Sequence, residues 1–391
     1  MKTVKLGIIF AVAALMTLGL GSAALAFHSG GVAHCDGCHT MHNSQNGTVY
    51  EEHGHLTPGV VGESATPHLL TGTDPSSTCL NCHDGSGSYH ILSADGSNYK
   101  AGGDFYWLTV DGTLGRSPVA GEQKGHNIVA VDFSLIADAT LTAAPVRANL
   151  GGAVAYPAGI LGCQSCHDPH GESATGLPIA SSGSYGAVAP TGAAVGNFRL
   201  LGSTGYSPGG GVVFASPSPI ALSAGSSAAD NDSVHNDYGY GMSEWCANCH
   251  QGFTADGSTA HRHPASNDAH LNGYGDAYNS YRATGNVLGT PQPSDAYDFF
   301  VPFERGTMDV TTLSTARTDG PDLVSNVMCL TCHRAHASPF ADAGRWDFGE
   351  ELLDESPIAE EFGDIVWYGE DIATRYGPYQ RSLCNKCHIQ D

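Results

Sequence analysis

The stretch Cys35-Asp36-Gly37-Cys38-His39-Thr40-Met41-His42 contains the pattern on which the rest of the chain is built. Cys-x-x-Cys-His is the attachment signature of c-type haem, in which two thiols bond covalently to the porphyrin and the following histidine ligates the iron. The stretch therefore predicts a haem site formed by Cys35, Cys38 and His39.

The same pattern occurs again at Cys79-Leu80-Asn81-Cys82-His83, Cys163-Gln164-Ser165-Cys166-His167, Cys246-Ala247-Asn248-Cys249-His250, Cys329-Leu330-Thr331-Cys332-His333 and Cys384-Asn385-Lys386-Cys387-His388. We number these patterns motifs 1 to 6 in chain order. They use all 12 cysteines, which leaves none for a disulfide, a catalytic thiol or an iron–sulfur cluster. A zinc site would not explain a histidine in the same place in every motif. The sequence thus predicts six covalent haem c groups, with the motif histidines as proximal iron ligands.

The first 26 residues are typical of a secretory signal peptide. Lys2 and Lys5 precede an apolar run from Leu6 to Leu20, and Ala24-Leu25-Ala26 forms a small-residue cleavage site. We expect the mature chain to start at Phe27 and residues 27–391 to form a single hexahaem domain. Export to the periplasm and beyond agrees with the haem motifs, because bacteria attach haem covalently outside the cytoplasm. No later segment of the sequence is apolar enough to span a membrane.

Composition limits both the fold and the partners. Without the leader the chain has 14 basic and 39 acidic residues, so its net charge is −25. Such a charge repels the phosphate backbone and argues against nucleic acid as a partner. A mature chain of this length offers too little polypeptide to enclose six haems in separate domains. The haems must therefore supply the core. With 51 glycines and 20 prolines, the predicted fold class is a multihaem cytochrome c of mostly loop, with short helices at the motifs and very little β structure.

Three local predictions follow from the pattern between motifs. Residues 105–110 and 127–131 are β-branched and aromatic, which predicts two short strands. Residues 171–233 are rich in Gly, Ala, Ser and Pro, but we expect apolar islands at 198–201 and 212–215 to order them against porphyrin faces. Residues 348–375 predict one or two surface helices. The segments between motifs share no evident pattern, so the sequence predicts no internal repeat.

The second axial ligand decides whether each iron is closed to substrates. The chain has 20 histidines, and three outside the motifs, His42, His170 and His336, each follow a motif histidine by three residues. Residues three apart on a helical turn share a face, and the porphyrin would block the second imidazole from the far side of the same iron. Each is therefore expected to ligate a different haem, which brings haems close together.

Four further histidines are candidates for the second position: His90, His126, His263 and His28. These seven candidates exceed the vacancies by one, and His28 is the least secure because a residue near a terminus is costly to order. The other histidines are expected to be exposed: His34, His53, His55, His68, His235, His261 and His270. The methionines beyond the leader are expected to pack in apolar surroundings: Met41, Met242, Met308 and Met328. All six irons are thus predicted to be bis-histidine, which predicts an electron-transfer protein and not an enzyme.

The chain resembles the outer-surface hexahaem c-type cytochromes of the OmcS kind, which form extracellular filaments in metal-respiring bacteria. The resemblance is carried by residues 27–33 with motif 1 and the following Thr-Met-His-Asn-Ser, and by residues 124–130, 241–245, 329–338 and 378–381 with motif 6. It implies a head-to-tail homopolymer, a nanowire in which His42 ligates the haem at Cys329 and Cys332 of a neighbouring copy. The first loop departs from the family pattern through its additional histidines at positions 53, 55 and 68.

The resulting hypothesis is a secreted cytochrome of the outer cell surface that passes electrons along a filament to external acceptors such as metal oxides, or to other redox cytochromes. One alternative is a monomeric periplasmic carrier with the same haems. Another is a multihaem reductase, which would need one haem iron with an open axial position. The motif of such a haem often has lysine in place of the histidine, and no such motif occurs in the sequence.

Overall fold

The computed structural model describes residues 35–40, 44–45, 48–49, 67–85, 90–114, 117–147, 154–170, 196–224, 229–254, 263–281, 290–353, 370, 375–376 and 380–388. Within them the α-helices are α1 Cys35–Cys38, α2 Pro75–His83, α3 Cys163–Cys166, α4 Met242–Cys246, α5 Gly275–Ser280 and α6 Cys329–Cys332. The strands form three antiparallel pairs: β1 Ser44–Gln45 with β2 Thr48–Val49, β3 Gly112–Leu114 with β4 Ser117–Val119, and β5 Ile220–Leu222 with β6 Asp237–Tyr240.

Most of the remaining regular structure is 3₁₀ helix, in single turns of three to five residues. These turns are Pro67–Leu69, Phe105–Thr109, Gly121–Gln123, Val131–Phe133, Ala158–Ile160, Phe198–Leu200, Leu271–Gly273, Pro293–Asp295, Val310–Thr312, Ala341–Ala343 and Leu383–Lys386. No helix of the described residues is long and apolar enough to cross a membrane. The predicted class, loops with short helices at the motifs and little β structure, is confirmed.

The two predicted strands are wrong. Phe105–Thr109 is a 3₁₀ helix, and residues 127–131 form no strand. The cause is Asp104, whose buried side chain accepts hydrogen bonds from the backbone N–H of Tyr106 at 2.9 Å and of Ser93 at 3.0 Å. That carboxylate caps a helical turn, so Phe105 and Trp107 become buried through a helical turn instead of a strand.

The glycine-rich segment is ordered where the structure describes it. Phe198, Leu200, Leu201 and Phe214 are buried, as expected of the apolar islands, whereas Val213 is exposed. Residues 171–195 and most of the predicted surface helices at 348–375 lie outside the described residues.

The largest apolar cluster surrounds the run from Phe299 to Phe303, together with Tyr278, Tyr281 and Trp346. Cysteines of motifs 3, 5 and 6 pack against this cluster, and those of motifs 3 and 4 pack against a second one around Tyr238 and Met242. The polypeptide core therefore lies against the motifs, where the sequence predicts the haems.

Candidate haem sites and their family

Each motif folds as a short helical turn that closes on its histidine. α1, α3 and α6 run from the first to the second cysteine of motifs 1, 3 and 5, while the longer α2 and α4 lead into motifs 2 and 4. The backbone N–H groups of His167, His250 and His333 donate to the carbonyl of the first cysteine at 2.9, 3.0 and 3.1 Å. Because positions three apart on such a turn share a face, both cysteines can bond to one porphyrin.

Four pairs of histidines come together from distant parts of the chain. Their ring centroids are 6.0 Å apart for His39 with His170, 6.4 Å for His167 with His336, 5.8 Å for His126 with His250 and 5.9 Å for His263 with His388. An imidazole nitrogen lies about 2 Å from a metal it ligates, so two imidazoles on opposite sides of one metal have centroids roughly 6 Å apart. Each pair joins a motif histidine to a predicted second ligand at a spacing that fits one iron.

The tautomers of these histidines also fit iron ligation. Nδ1 lies next to a backbone carbonyl oxygen in His39 (His68, 2.9 Å), His126 (Ala335, 2.8 Å), His167 (Arg199, 2.7 Å), His250 (Pro145, 3.2 Å), His263 (Pro264, 3.1 Å) and His333 (Asp342, 2.8 Å). A carbonyl can only accept, so Nδ1 carries the proton and donates it. Nε2 is left with its lone pair, and the ring orientation is fixed, as in most metal-ligating histidines.

Burial keeps several of these imidazoles neutral. Partial burial is the largest cause that lowers the pKa of His126 and His167, and it lowers the pKa of His250 to about 4 and of His336 to about 3. A metal ligand must be deprotonated, so these groups are in the ligating form at neutral pH.

The odd-numbered motifs share a further backbone feature, which we call the strap. It is the 3₁₀ turn Pro67–Leu69 for motif 1, Phe198–Leu200 for motif 3 and Ala341–Ala343 for motif 5. The last two residues of each strap have positive φ, between 49° and 62°, although none is glycine. The first of these residues supplies the carbonyl that accepts from Nδ1 of the motif histidine. The carbonyl of the second residue accepts a hydrogen bond from the backbone N–H of the residue after that histidine. The distance is 2.6 Å for motif 1, 2.8 Å for motif 3 and 2.6 Å for motif 5.

Motifs 2 and 4 share a different feature, a serine whose side chain accepts a hydrogen bond from the next motif. Ser76, in the helix of motif 2, accepts from the backbone N–H of Cys163 at 3.1 Å. Ser243, in the helix of motif 4, accepts from the backbone N–H of Cys329 at 3.0 Å. Motif 2 therefore contacts motif 3 in the way that motif 4 contacts motif 5. The backbone thus has a two-motif repeat that the sequence analysis did not predict.

The four pairs described above do not include the histidines of motifs 2 and 5. His90 is half-buried, its Nδ1 has no hydrogen-bond partner, and it belongs to none of the four pairs. His42 and His28 lie outside the described residues, as do His34, His53, His55 and His261. His68 and His270 are exposed, as predicted.

Two predictions about side-chain exposure are wrong. His235 is fully buried instead of exposed, because its ring stacks on Tyr297 with centroids 3.6 Å apart. Met308 is 72% exposed and does not pack in an apolar cluster, whereas Met242 and Met328 are buried as predicted. Met41 lies outside the described residues.

Sequence reasoning also missed the straps and the carbonyls that orient the ligands. These groups are backbone atoms, which have no residue type to recognise. The only sequence trace is the Leu-Leu pair of the first two straps, Leu69-Leu70 and Leu200-Leu201, and the third strap lacks it.

Histidine pairs at one-metal spacing beside Cys-x-x-Cys-His turns define the class of the protein: a multihaem c-type cytochrome, which transfers electrons. In the comparisons with known proteins, no family model matches the chain. The C-type cytochrome OmcS of Geobacter sulfurreducens is 40% identical to it over an alignment of 452 residues that covers 100% of both proteins.

Two solved structures are similar as well. They are an Outer Membrane Cytochrome S filament, with a TM-score of 0.74, and OmcS nanowires, with a TM-score of 0.75, both from Geobacter sulfurreducens. Each is 38% identical and covers 93% of this chain and 100% of the solved one. The chain belongs to the OmcS family of c-type cytochromes and carries covalently bound haem c, so the resemblance noted in the sequence is confirmed.

Proposed function

We propose that this chain is the subunit of an extracellular filament that conducts electrons through six bis-histidine haems. When bound, haem c supplies a reversible one-electron change at its iron. The polypeptide holds the cysteine attachment points, fixes the axial imidazoles and sets the distance between neighbouring sites. With both axial positions taken by histidine, no iron is open to a small substrate, which favours conduction over catalysis.

Ligand pairing follows a rule when the chain is divided into three modules, each with one odd and one even motif. In the second module, His126 precedes motif 3 and pairs with the histidine of motif 4. In the third, His263 precedes motif 5 and pairs with the histidine of motif 6. A histidine ahead of each module thus serves that module's even haem. In the first module this position belongs to His28, which we assign to the haem of His83.

A second rule covers the histidines that follow an odd motif by three residues. His170 follows motif 3 and pairs with the histidine of motif 1, and His336 follows motif 5 and pairs with the histidine of motif 3. Each therefore serves the odd haem of the preceding module. His42 follows motif 1, so its own chain has no preceding module. We assign it to the motif 5 haem of a neighbouring copy, because His333 belongs to none of the four histidine pairs in the part of the chain that the structure describes.

This rule is the observation that carries the proposal, because it makes the subunit joint a continuation of the joints inside the chain. A contact between the front of one copy and the third module of the next is head-to-tail and does not close on itself. Open filaments follow, and a coordination bond holds each joint. The solved relatives are filaments, which supports the same assembly for this chain.

The environment of the filament follows from the leader and the charge. The predicted signal peptide supports secretion through the periplasm to the outer surface. The net charge of −25 of the chain without its leader would attract cationic species such as ferric iron more than anions, which supports metal oxides as acceptors.

The test is electron cryomicroscopy of the sheared extracellular fraction from cells producing the wild type, His42→Ala or His68→Asn. His68→Asn is the matched control, because that exposed histidine belongs to the same loop and asparagine tolerates its positive φ. We expect fibres from the wild type and the control, with His42 on a neighbour's iron, and single particles from His42→Ala. Wild-type single particles with self-contained haems would demote the protein to a periplasmic carrier. Intact His42→Ala fibres would refute the assignment of His42.

A further inference from the structure

The residue two places after each strap lies in the same position beside its motif, but its side chain differs from motif to motif. This residue is Thr71 for motif 1, Gly202 for motif 3 and Arg345 for motif 5. In each case its backbone N–H donates to the carbonyl of the second motif cysteine, at 2.9, 2.9 and 2.8 Å respectively. The three positions are therefore equivalent in the fold, and of the three side chains only that of Arg345 is charged.

The side chain of Arg345 folds back onto motif 5. Its Nε donates to the carbonyls of Leu330 at 2.6 Å and His333 at 3.2 Å, and its Nη1 donates to the carbonyl of Phe299 at 2.9 Å. Leu330 lies between the two cysteines of the motif, and His333 is its predicted iron ligand. The guanidinium is therefore fixed against the backbone to which the haem of motif 5 is attached.

Motif 3 satisfies the equivalent two carbonyls with an uncharged group. The hydroxyl of Tyr206 donates to the carbonyls of Gln164 at 2.6 Å and His167 at 3.1 Å. Gly202 leaves room for this ring, because a Cβ on that residue would lie 2.3 Å from Cδ1 of Tyr206. A phenol is neutral at neutral pH. Hydrogen bonding at this position thus does not require a charge, so the charge of Arg345 calls for another explanation.

The charge of Arg345 is only partly compensated. The side chain is completely buried, and it stays charged at neutral pH although burial lowers its pKa to about 10. Its hydrogen bonds in the described part of the chain all go to neutral carbonyls. Asp230 acts on it, but that carboxylate lies 3.5 Å from a second buried arginine, Arg334. Two buried cations and one carboxylate leave a net positive charge beside motif 5, where burial weakens its screening by solvent.

We propose that Arg345 raises the reduction potential of the haem attached at motif 5. On reduction that haem takes one electron from a neighbouring haem, so the site loses one positive charge while its bonds stay the same. A fixed cation nearby favours the state with less positive charge, which is the ferrous one. This inference rests on the proposed function, in which the same haem receives His42 of the next copy. Arg345 therefore sets how firmly an electron is held at the joint between subunits.

The test is a spectroelectrochemical titration of the assembled cytochrome, in which haem absorbance is followed as the applied potential is lowered. Arg345→Gln should move about one sixth of the absorbance change to lower potential, since it alters one haem of six. We expect the equilibrium constant for reduction of that haem to fall at least about tenfold, which is about 59 mV for a one-electron couple. Tyr206→Phe is the matched control, because it removes the hydrogen bonds to the equivalent carbonyls of motif 3 without changing a charge. Its shift should be much smaller.

An unchanged titration in Arg345→Gln, or an equal shift in Tyr206→Phe, would overturn the proposal. If Arg345→Gln does not accumulate, Asp230→Asn removes the carboxylate that offsets Arg345, and it must move part of the titration to higher potential for the proposal to stand. Intact mass and electron paramagnetic resonance of the wild type give the number of haems and their spin state. Fewer than six haems or an open iron would contradict the proposed function itself, whereas six low-spin haems with an unchanged titration in the variant would contradict only the role of Arg345.

Discussion

The first module provides the sharpest test of the ligand rules, because two histidines compete for one iron. Sequence analysis treats His28 and His90 as candidates for a second axial position without assigning either to a particular iron, and ranks His28 last. The module rule reverses that order. We expect His28→Ala to open the haem of motif 2 and His90→Ala to leave all six haems closed.

The size of the effect follows from the count of sites. Each iron contributes equally to the low-spin ferric signal, so losing one second ligand converts about one sixth of it to a high-spin signal. His90→Ala should convert none, since its ring joins none of the four histidine pairs and its Nδ1 has no partner to lose. The only expected cost is the packing of a half-buried side chain.

Electron paramagnetic resonance of the oxidised protein, with intact mass to count haems, makes the measurement. Correct leader cleavage must be checked in His28→Ala by sequencing the amino terminus, because the substitution lies close to the predicted cleavage site. A high-spin haem in His90→Ala together with an unchanged His28→Ala would refute the module rule, and with it the reasoning that assigns His42 to a neighbouring copy.

Three further results are expected from urea unfolding. Burial raises the pKa of Glu304 to about 8 from 4.5, so the stability linked to its proton is complete below pH 4.5 and is lost as the pH rises to about 8. Glu304→Gln should remove that decline, at most about 1.4 kcal/mol per pH unit. Asp342→Gly should stabilise by about 1 kcal/mol by relieving the positive φ of an exposed residue, whereas Asp309→Gly, at φ −92°, should not. Ser243→Ala should cost about 1–3 kcal/mol by leaving the N–H of Cys329 without its acceptor. The first argument fails if the free energy of unfolding of the wild type does not change with pH. The second fails if Asp342→Gly and Asp309→Gly change it equally, and the third fails if Ser243→Ala leaves it unchanged.

The sequence predicts the attachment sites and the class of protein well, because that chemistry requires particular residue types at fixed spacing. It also predicts that His170 and His336 serve other irons, since the porphyrin excludes their own; both lie at one-metal spacing from histidines of other motifs. The partners of His170 and His336 could not be identified from the sequence, because His39 and His167, which they meet, lie more than a hundred residues away along the chain.

Local structure was harder to predict where a polar side chain decides between two conformations. Residues 105–109 have strand-forming composition, yet the buried carboxylate of Asp104 organises them as a 3₁₀ turn. His235 is polar and was expected at the surface, but an aromatic partner that is distant in sequence buries it. Both outcomes depend on tertiary contacts, which periodicity and composition do not contain.

The straps have a consequence for how such proteins can diverge. The carbonyl that orients each odd-motif histidine comes from a residue 29, 32 or 9 positions further along the chain. Two long connectors and one short connector thus place a carbonyl oxygen in the same position beside the motif histidine. A connector can grow, shrink or change its surface without moving the imidazole that it steadies. The solvent-exposed surface can therefore diverge during evolution while the spacing between the electron-carrying sites is conserved.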